Sequence, residues 1–124
     1  MTKRIAEKDI EGYLRDEAQR MGWGIHKNIS DPRKGGTPGL PDDVITLPSA
    51  RVAWVECKAP DKLASYLKKR ERFLEEGDTT GCTRTEVRQF QEQQKLEDQD
   101  QDVSVVGTYG EVDDLIDRLE VLYG

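Results

Sequence analysis

The stretch GLPDDVITLPSARVAWVECKAP, residues 39–60, carries two apolar runs with Asp42, Glu56 and Lys58 at their edges. DVITL (43–47) and RVAWVECK (51–58) are rich in β-branched and aromatic residues and flank a turn at Pro48, Ser49 and Ala50. That pattern predicts two strands joined as a hairpin. Side chains alternate along a strand, so Glu56 and Lys58 share one face while Val55 and Cys57 share the other. Antiparallel pairing then returns Glu56, near the end of the second strand, to Asp42 at the start of the first. Charges beside a core are costly unless they are paired or hold a cation, and two carboxylates in one pocket repel at neutral pH. Oxygen-only donors favour Mg²⁺ or Mn²⁺. A lysine beside such an ion can orient or help deprotonate a water, or stabilise charge on a phosphate. These are the parts of metal-assisted phosphodiester hydrolysis. Each residue alone has a plainer reading: Asp42 as a turn residue after Pro41, Glu56 and Lys58 as a strand-edge ion pair worth little.

Outward from the hairpin, Ile5, Ile10, Tyr13, Leu14, Ala18 and Met21 recur at helical spacing, predicting a helix over 5–21 that ends near Gly22. WGIHKNI (23–29) reads as a short strand and SDPRKGGTPGLP (30–41), rich in Gly and Pro, as a loop. Beyond the hairpin, ASYLKKRERFLEEG has helical character and GDTTGCT is a loop. A helix follows from Arg84 to about Asp98, then a strand VSVVG (103–107). EVDDLIDRLEVLY (111–123) places Val112, Leu115, Ile116, Leu119 and Leu122 on one helix face. The order helix, strand, hairpin, helix, strand, helix describes an α/β fold, a mixed β-sheet flanked by helices.

At 124 residues the chain is sized for a single domain, 1–124. No apolar run approaches the ~20 residues that span a bilayer. The N-terminal MTKRIAEKDIEGYL lacks the apolar core of a signal peptide, so a cytoplasmic setting is expected. Cys57 and Cys82 are expected as reduced thiols, and His26 as a strand residue rather than a base. The net charge is −6, but residues 1–91 carry 17 Lys/Arg against 15 Asp/Glu, and residues 92–124 carry 2 against 10. The acidic weight lies at the C-terminal end, so a basic face for nucleic acid remains open elsewhere.

Pro41-Asp42 followed by Glu56-Cys57-Lys58 resembles the PD-(D/E)xK nuclease signature, and the finer match is to the VRR-NUC domain. That family has a glutamate on its first helix, then G-x-P-D, an apolar strand ending E-x-K before Ala-Pro, a helix opening with Gln, a V-x-V-V strand and a short acidic-headed helix. This chain offers EKDIEGYL (7–14), GLPD (39–42), VAWVECKAP (52–60), VRQFQEQQKL (87–96), VSVVG (103–107) and EVDDLI (111–116), in that order. The resemblance implies a restriction-endonuclease-like core and a Mg²⁺-dependent DNA endonuclease, with Mn²⁺ able to substitute. Asp42 and Glu56 are the implied metal ligands, joined by Glu7 and the Cys57 backbone carbonyl. Lys58 is the implied catalytic lysine and Gln89 the helix glutamine. Glu11 competes with Glu7, and Gln91 with Gln89; Glu7 also reads as a helix-surface acid, and Gln89 as ordinary helix surface.

The family's role in replication and repair implies branched DNA, with Holliday junctions foremost, and symmetric cutting implies a homodimer. Lys27, Arg33 and Lys34 flank the expected metal and are candidate phosphate contacts, as are Lys68 and Lys69. The latter two, with Lys62, Arg70 and Arg72, fall in residues 61–86, which are longer than the family's usual connection and read as an insertion. Their alternative is a solvated helix face paired with Glu71, Glu75 and Glu76. Trp54 shares the Glu56 face and either walls the site or packs in the core. The rival function is a non-catalytic DNA-binding or scaffolding module on the same fold, against which the intact Asp, Glu and Lys set argues. RNA is a third possible substrate, but no reader of the 2′-hydroxyl is identifiable.

Overall fold

In α1 (Glu7–Arg20) the apolar positions Ile10, Leu14 and Ala18 recur every fourth residue, and all three are fully buried. The computed structural model describes residues 4–28, 32–34 and 36–124. After Gly22, which takes a left-handed φ of 79°, the chain enters β1 (Gly24–Lys27). Ile29, the last residue of the expected strand, and part of the following loop lie outside the described residues. The hairpin forms as β2 (Asp43–Leu47) and β3 (Arg51–Cys57), joined through Pro48–Ala50. The tight turn holds Ser49 and Ala50 at left-handed φ values of 65° and 59°.

β3 runs almost directly into α2 (Pro60–Glu76), which Pro60 opens from the first helical turn and Gly77 closes at φ 68°. α3 (Arg84–Asp98) follows, capped by a reciprocal pair: Thr83 Oγ1 accepts from the Glu86 N–H, and Glu86 accepts from the Thr83 N–H. β4 (Asp102–Val106) and α4 (Tyr109–Tyr123) complete the chain. Two helices, α2 and α3, thus lie between β3 and β4, in the two segments read as helical, and α2 starts four residues before ASYLKKRERFLEEG because Pro60 suits a helix start.

The sheet order is β1-β2-β3-β4, antiparallel except for the parallel β3–β4 pair, so it is mixed as expected. One face carries Ile45, Leu47, Ala53, Val55, Cys57 and Val106. It packs against α1 and α4, where Val112, Leu115, Ile116 and Leu119 close a first apolar core. On the other side α3 lies along β4 and α2 along α3. Phe90, with Tyr66 and Phe73 at 5.1 and 5.7 Å between ring centroids, fills the α2–α3 seam. Cys57 is fully buried in the first core and Cys82 half-buried, both as free thiols.

Candidate active site

The hairpin register pairs Asp43 with Val55, which sets Asp42 opposite the Glu56–Cys57 step. The Cys57 backbone N–H donates to Asp42 Oδ2 at 3.0 Å, fixing that carboxylate at the strand ends. Glu56, on the opposite face of β3 from the apolar core, is 1% exposed. Its Oε1 lies 3.5 Å from Lys58 Nζ, while its Oε2 is buried with no hydrogen-bond partner among the described residues. Burial first, and the charge of Asp42 next, push the Glu56 carboxyl up to about 8, against the pull of Lys58. Asp42 is also raised, by burial first, although the Cys57 N–H works the other way. Glu7 is raised by burial and then by Asp42. Asp42 thus bears on both Glu56 and Glu7, and Glu7 in turn on Glu56.

Both carboxylates offered on the first helix bear on the site, since Glu11 acts on Asp42 and Asp43. Glu7 reaches the electrostatic neighbourhood of Asp42, Glu56 and Lys58. Glu11, one turn on, is held by Arg15 at 3.2 Å and by Lys27 at 3.0 Å. On α3, Gln89 Oε1 accepts from Lys58 Nζ at 3.4 Å and from the Tyr66 hydroxyl at 3.0 Å, whereas Gln91 is exposed.

Other candidates lie further out. Lys27 is tied to Glu11; Arg33 and Lys34 stand exposed on a short helical turn at 32–34. Lys68 is exposed, and Lys69 pairs with Glu86 at 3.3 Å. The α2 cations that pair do so across the seam with α3, Lys69 to Glu86 and Arg70 to Glu97, rather than with Glu71, Glu75 or Glu76 on their own helix. The reason is packing: α2 lies along α3, which presents those carboxylates. Trp54 donates its indole N–H to Gln101 at 3.4 Å and is half-buried. His26 is exposed on β1, opposite Val44.

Two recesses of about 240 Å³ each flank Lys58 and Glu7. One is lined by Lys58, Lys62, Ser65, Tyr66 and Lys69, the other by Arg4, Ala6, Glu7 and Ala59. A larger hollow of about 550 Å³ lies between Tyr13 and Tyr109, but it contains neither Asp42 nor Glu56, so its size says little about the chemistry.

Tyr66 and Gln93 lie beside Lys58 and Gln89 without having been singled out in the sequence for it, and Asp43 pairs with Arg15 on the other face of the sheet. Asp43 is fully buried on the core side, 3.4 Å from Arg15, with Oδ2 unpartnered among the described residues. Burial first, then Glu11, push it up to about 6. Strand alternation was the available signal, since Asp43 shares a face with Ile45 and Leu47. Gln93, fully buried, follows Gln89 by four residues and so lies on the same α3 face.

Among the described residues no three His, Cys, Asp or Glu side chains are grouped so as to hold a metal ion, Glu7, Asp42 and Glu56 included. The donor set nevertheless fits Mg²⁺, which retains several waters and takes one or two carboxylates from the protein. An all-oxygen pair of mutually repelling carboxylates, one with an orphaned buried oxygen, is what such an ion relieves.

No family model matches the chain. Among solved structures it is similar to a VRR_NUC domain, with a TM-score of 0.59 and 22% identity over 90% of this chain and 94% of that one. It is also 34% identical over 67 residues to "Putative nuclease p44" of Acyrthosiphon pisum secondary endosymbiont phage 1, across 54% of this chain and 68% of that protein. The chain thus belongs to the family of that phage nuclease and has the fold of a VRR_NUC domain.

Proposed function

We propose that the protein is a Mg²⁺-dependent DNA endonuclease that hydrolyses phosphodiester bonds, selective for branched DNA, with four-way junctions foremost. The observation that carries this reading is the meeting of Asp42, Glu56 and Lys58 at the hairpin end, around a buried carboxylate oxygen with no partner among the described residues. Asp42 and Glu56 would hold the ion, with Glu7 and the Cys57 backbone carbonyl completing its protein ligands; Mn²⁺ would serve in its place. When bound, the ion supplies Lewis acidity and charge neutralisation at the phosphodiester.

The chain's own residues do the rest. The Lys58 ammonium, mostly buried at 15% side-chain exposure, stabilises negative charge developing on the phosphate in a site where water screens it little. Gln89 steadies that ammonium from α3. Lys27, Arg33, Lys34, Lys68 and Lys69 contact backbone phosphates of the substrate and carry no sequence preference. A homodimer supplies the two sites that symmetric junction cutting needs, and the protein works in the cytoplasm of a bacterium or phage-infected host. No helix among the described residues is long and apolar enough to cross a membrane.

The test is a panel of end-labelled four-way junctions, flaps, duplexes and single strands incubated with Mg²⁺, Mn²⁺ or EDTA. The expected result is cutting of branched forms in either metal and none in EDTA. Binding to every form without cleavage contradicts the proposal.

A further inference from the structure

One chain of hydrogen bonds runs from Arg70, in the α2–α3 seam, to Lys58. Arg70, which also pairs with Glu97, donates through Nε to Gln93 Oε1 at 2.6 Å. Gln93 Nε2 donates to the Tyr66 hydroxyl at 2.9 Å, and that hydroxyl donates to Gln89 Oε1 at 3.0 Å. Lys58 Nζ closes the chain on the same Gln89 oxygen at 3.4 Å and also sits 4.2 Å from the centroid of the Tyr66 ring. The direction of every bond follows from its first member. A guanidinium can only donate, so it takes the carbonyl oxygen of Gln93 and leaves the amide NH₂ for Tyr66. Having accepted there, the hydroxyl gives its single hydrogen to Gln89. The Gln89 oxygen is thereby turned to Lys58, and its NH₂ group is left without a partner among the described residues.

We propose that Arg70, Gln93 and Tyr66 are positioning residues whose fixed donor direction orients the Gln89 amide, so that its oxygen and the Tyr66 ring together seat the Lys58 ammonium and its NH₂ faces the substrate. The ring contributes a cation–π contact, well inside the ~6 Å range of such pairs. Gln93 and Tyr66 are both buried, so the chain has no water to reorient it cheaply. This assignment rests on the nuclease reading for its kinetic consequence, but its geometric half stands apart from catalysis. It also makes α2, the segment that departs from the family pattern, part of the site's support, because that helix supplies both Arg70 and Tyr66.

The discriminating variant is Gln93→Glu, which keeps the shape and pairs with Arg70 but can only accept. The Tyr66 hydroxyl then donates to the carboxylate, and its oxygen draws the Gln89 NH₂, which cannot accept from Lys58. The expected result is a roughly tenfold fall in kcat with KM unchanged, the pattern of an interaction made in the transition state. Tyr66→Phe is expected to lose a similar factor and the double variant no more than the worse single one, since both cut the same chain. Thermal midpoints of the variants within about 5 °C of the parent separate this from unfolding.

The reading that does not depend on cleavage is NMR of the Lys58 ε-methylene. It is expected upfield in the parent under the Tyr66 ring current and displaced in Gln93→Glu. An ordinary shift in the parent, no displacement in Gln93→Glu, or parental kcat in that variant overturns the assignment. Losses that multiply in the double variant overturn it as well. If the parent cuts no DNA, the nuclease reading fails while the NMR result still decides the geometry.

Discussion

Glu56 is the residue at which the energetics of the site are most exposed to measurement. Its carboxyl is pushed up to about 8 by burial and by Asp42, from an ordinary value near 4.5. The folded protein therefore binds this proton more tightly than the unfolded chain does. Linkage then gives the sign: the contribution is fully present below about 4.5 and is lost as pH rises through about 8, because the native carboxylate must ionise in a buried place. The metal-free protein is expected to lose melting temperature from pH 5 to pH 8, with Glu56→Gln removing much of that slope and exceeding the parent in stability at pH 8. Mg²⁺ should flatten the slope in the parent by competing with the proton, and should do nothing for Glu56→Gln. A parent whose melting temperature rises across that range contradicts the assignment. On the proposed reading the ion would stabilise the fold as well as serve the reaction.

Among the elements, the GLPD loop depends on one backbone position. Gly39 has a φ of 88°, and a Cβ there would lie 2.6 Å from the Arg88 backbone carbonyl oxygen on α3. Gly39→Ala therefore strains the turn and forces the loop off α3. The expected cost is about 1–3 kcal/mol in chemical denaturation, with activity falling as Asp42 shifts. An unchanged denaturation midpoint contradicts the packing. This contact illustrates what the sequence makes legible and what it does not. The glycine-rich run announces a loop, but not that the loop leans on a helix almost fifty residues later. The hairpin was readable because alternation and a three-residue turn fix its register locally, and α1 and α4 because their apolar stripes are strong. The meeting of Asp42 with Glu56 followed from that register. Tyr66 and Gln93 did not follow, since their roles come from the α2–α3 seam, where a tyrosine at a helical apolar position looks like packing alone.

At the scale of the whole molecule, net charge and site pull in opposite directions. The acidic excess sits in residues 92–124, whereas the lysines proposed to meet a polyanion lie earlier in the chain, on β1, in the loop after it and on α2. DNA affinity is accordingly expected to fall steeply with salt, and Lys34→Ala or Lys68→Ala should lower the salt slope by about one while binding weakens on every DNA form alike. The proposed dimer is checked by sedimentation velocity with and without a four-way junction; a monomer that still makes paired, symmetric cuts removes the need for it. The central claim, that Asp42 and Glu56 hold the cation used in phosphodiester cleavage beside Lys58, is tested most directly by one comparison. The rate of four-way-junction cleavage in Mg²⁺ is measured for the parent and for Asp42→Asn, with melting temperature recorded alongside. The account predicts cleavage by the parent and none detectable by Asp42→Asn at a nearly unchanged melting temperature, whereas a fully active Asp42→Asn contradicts it.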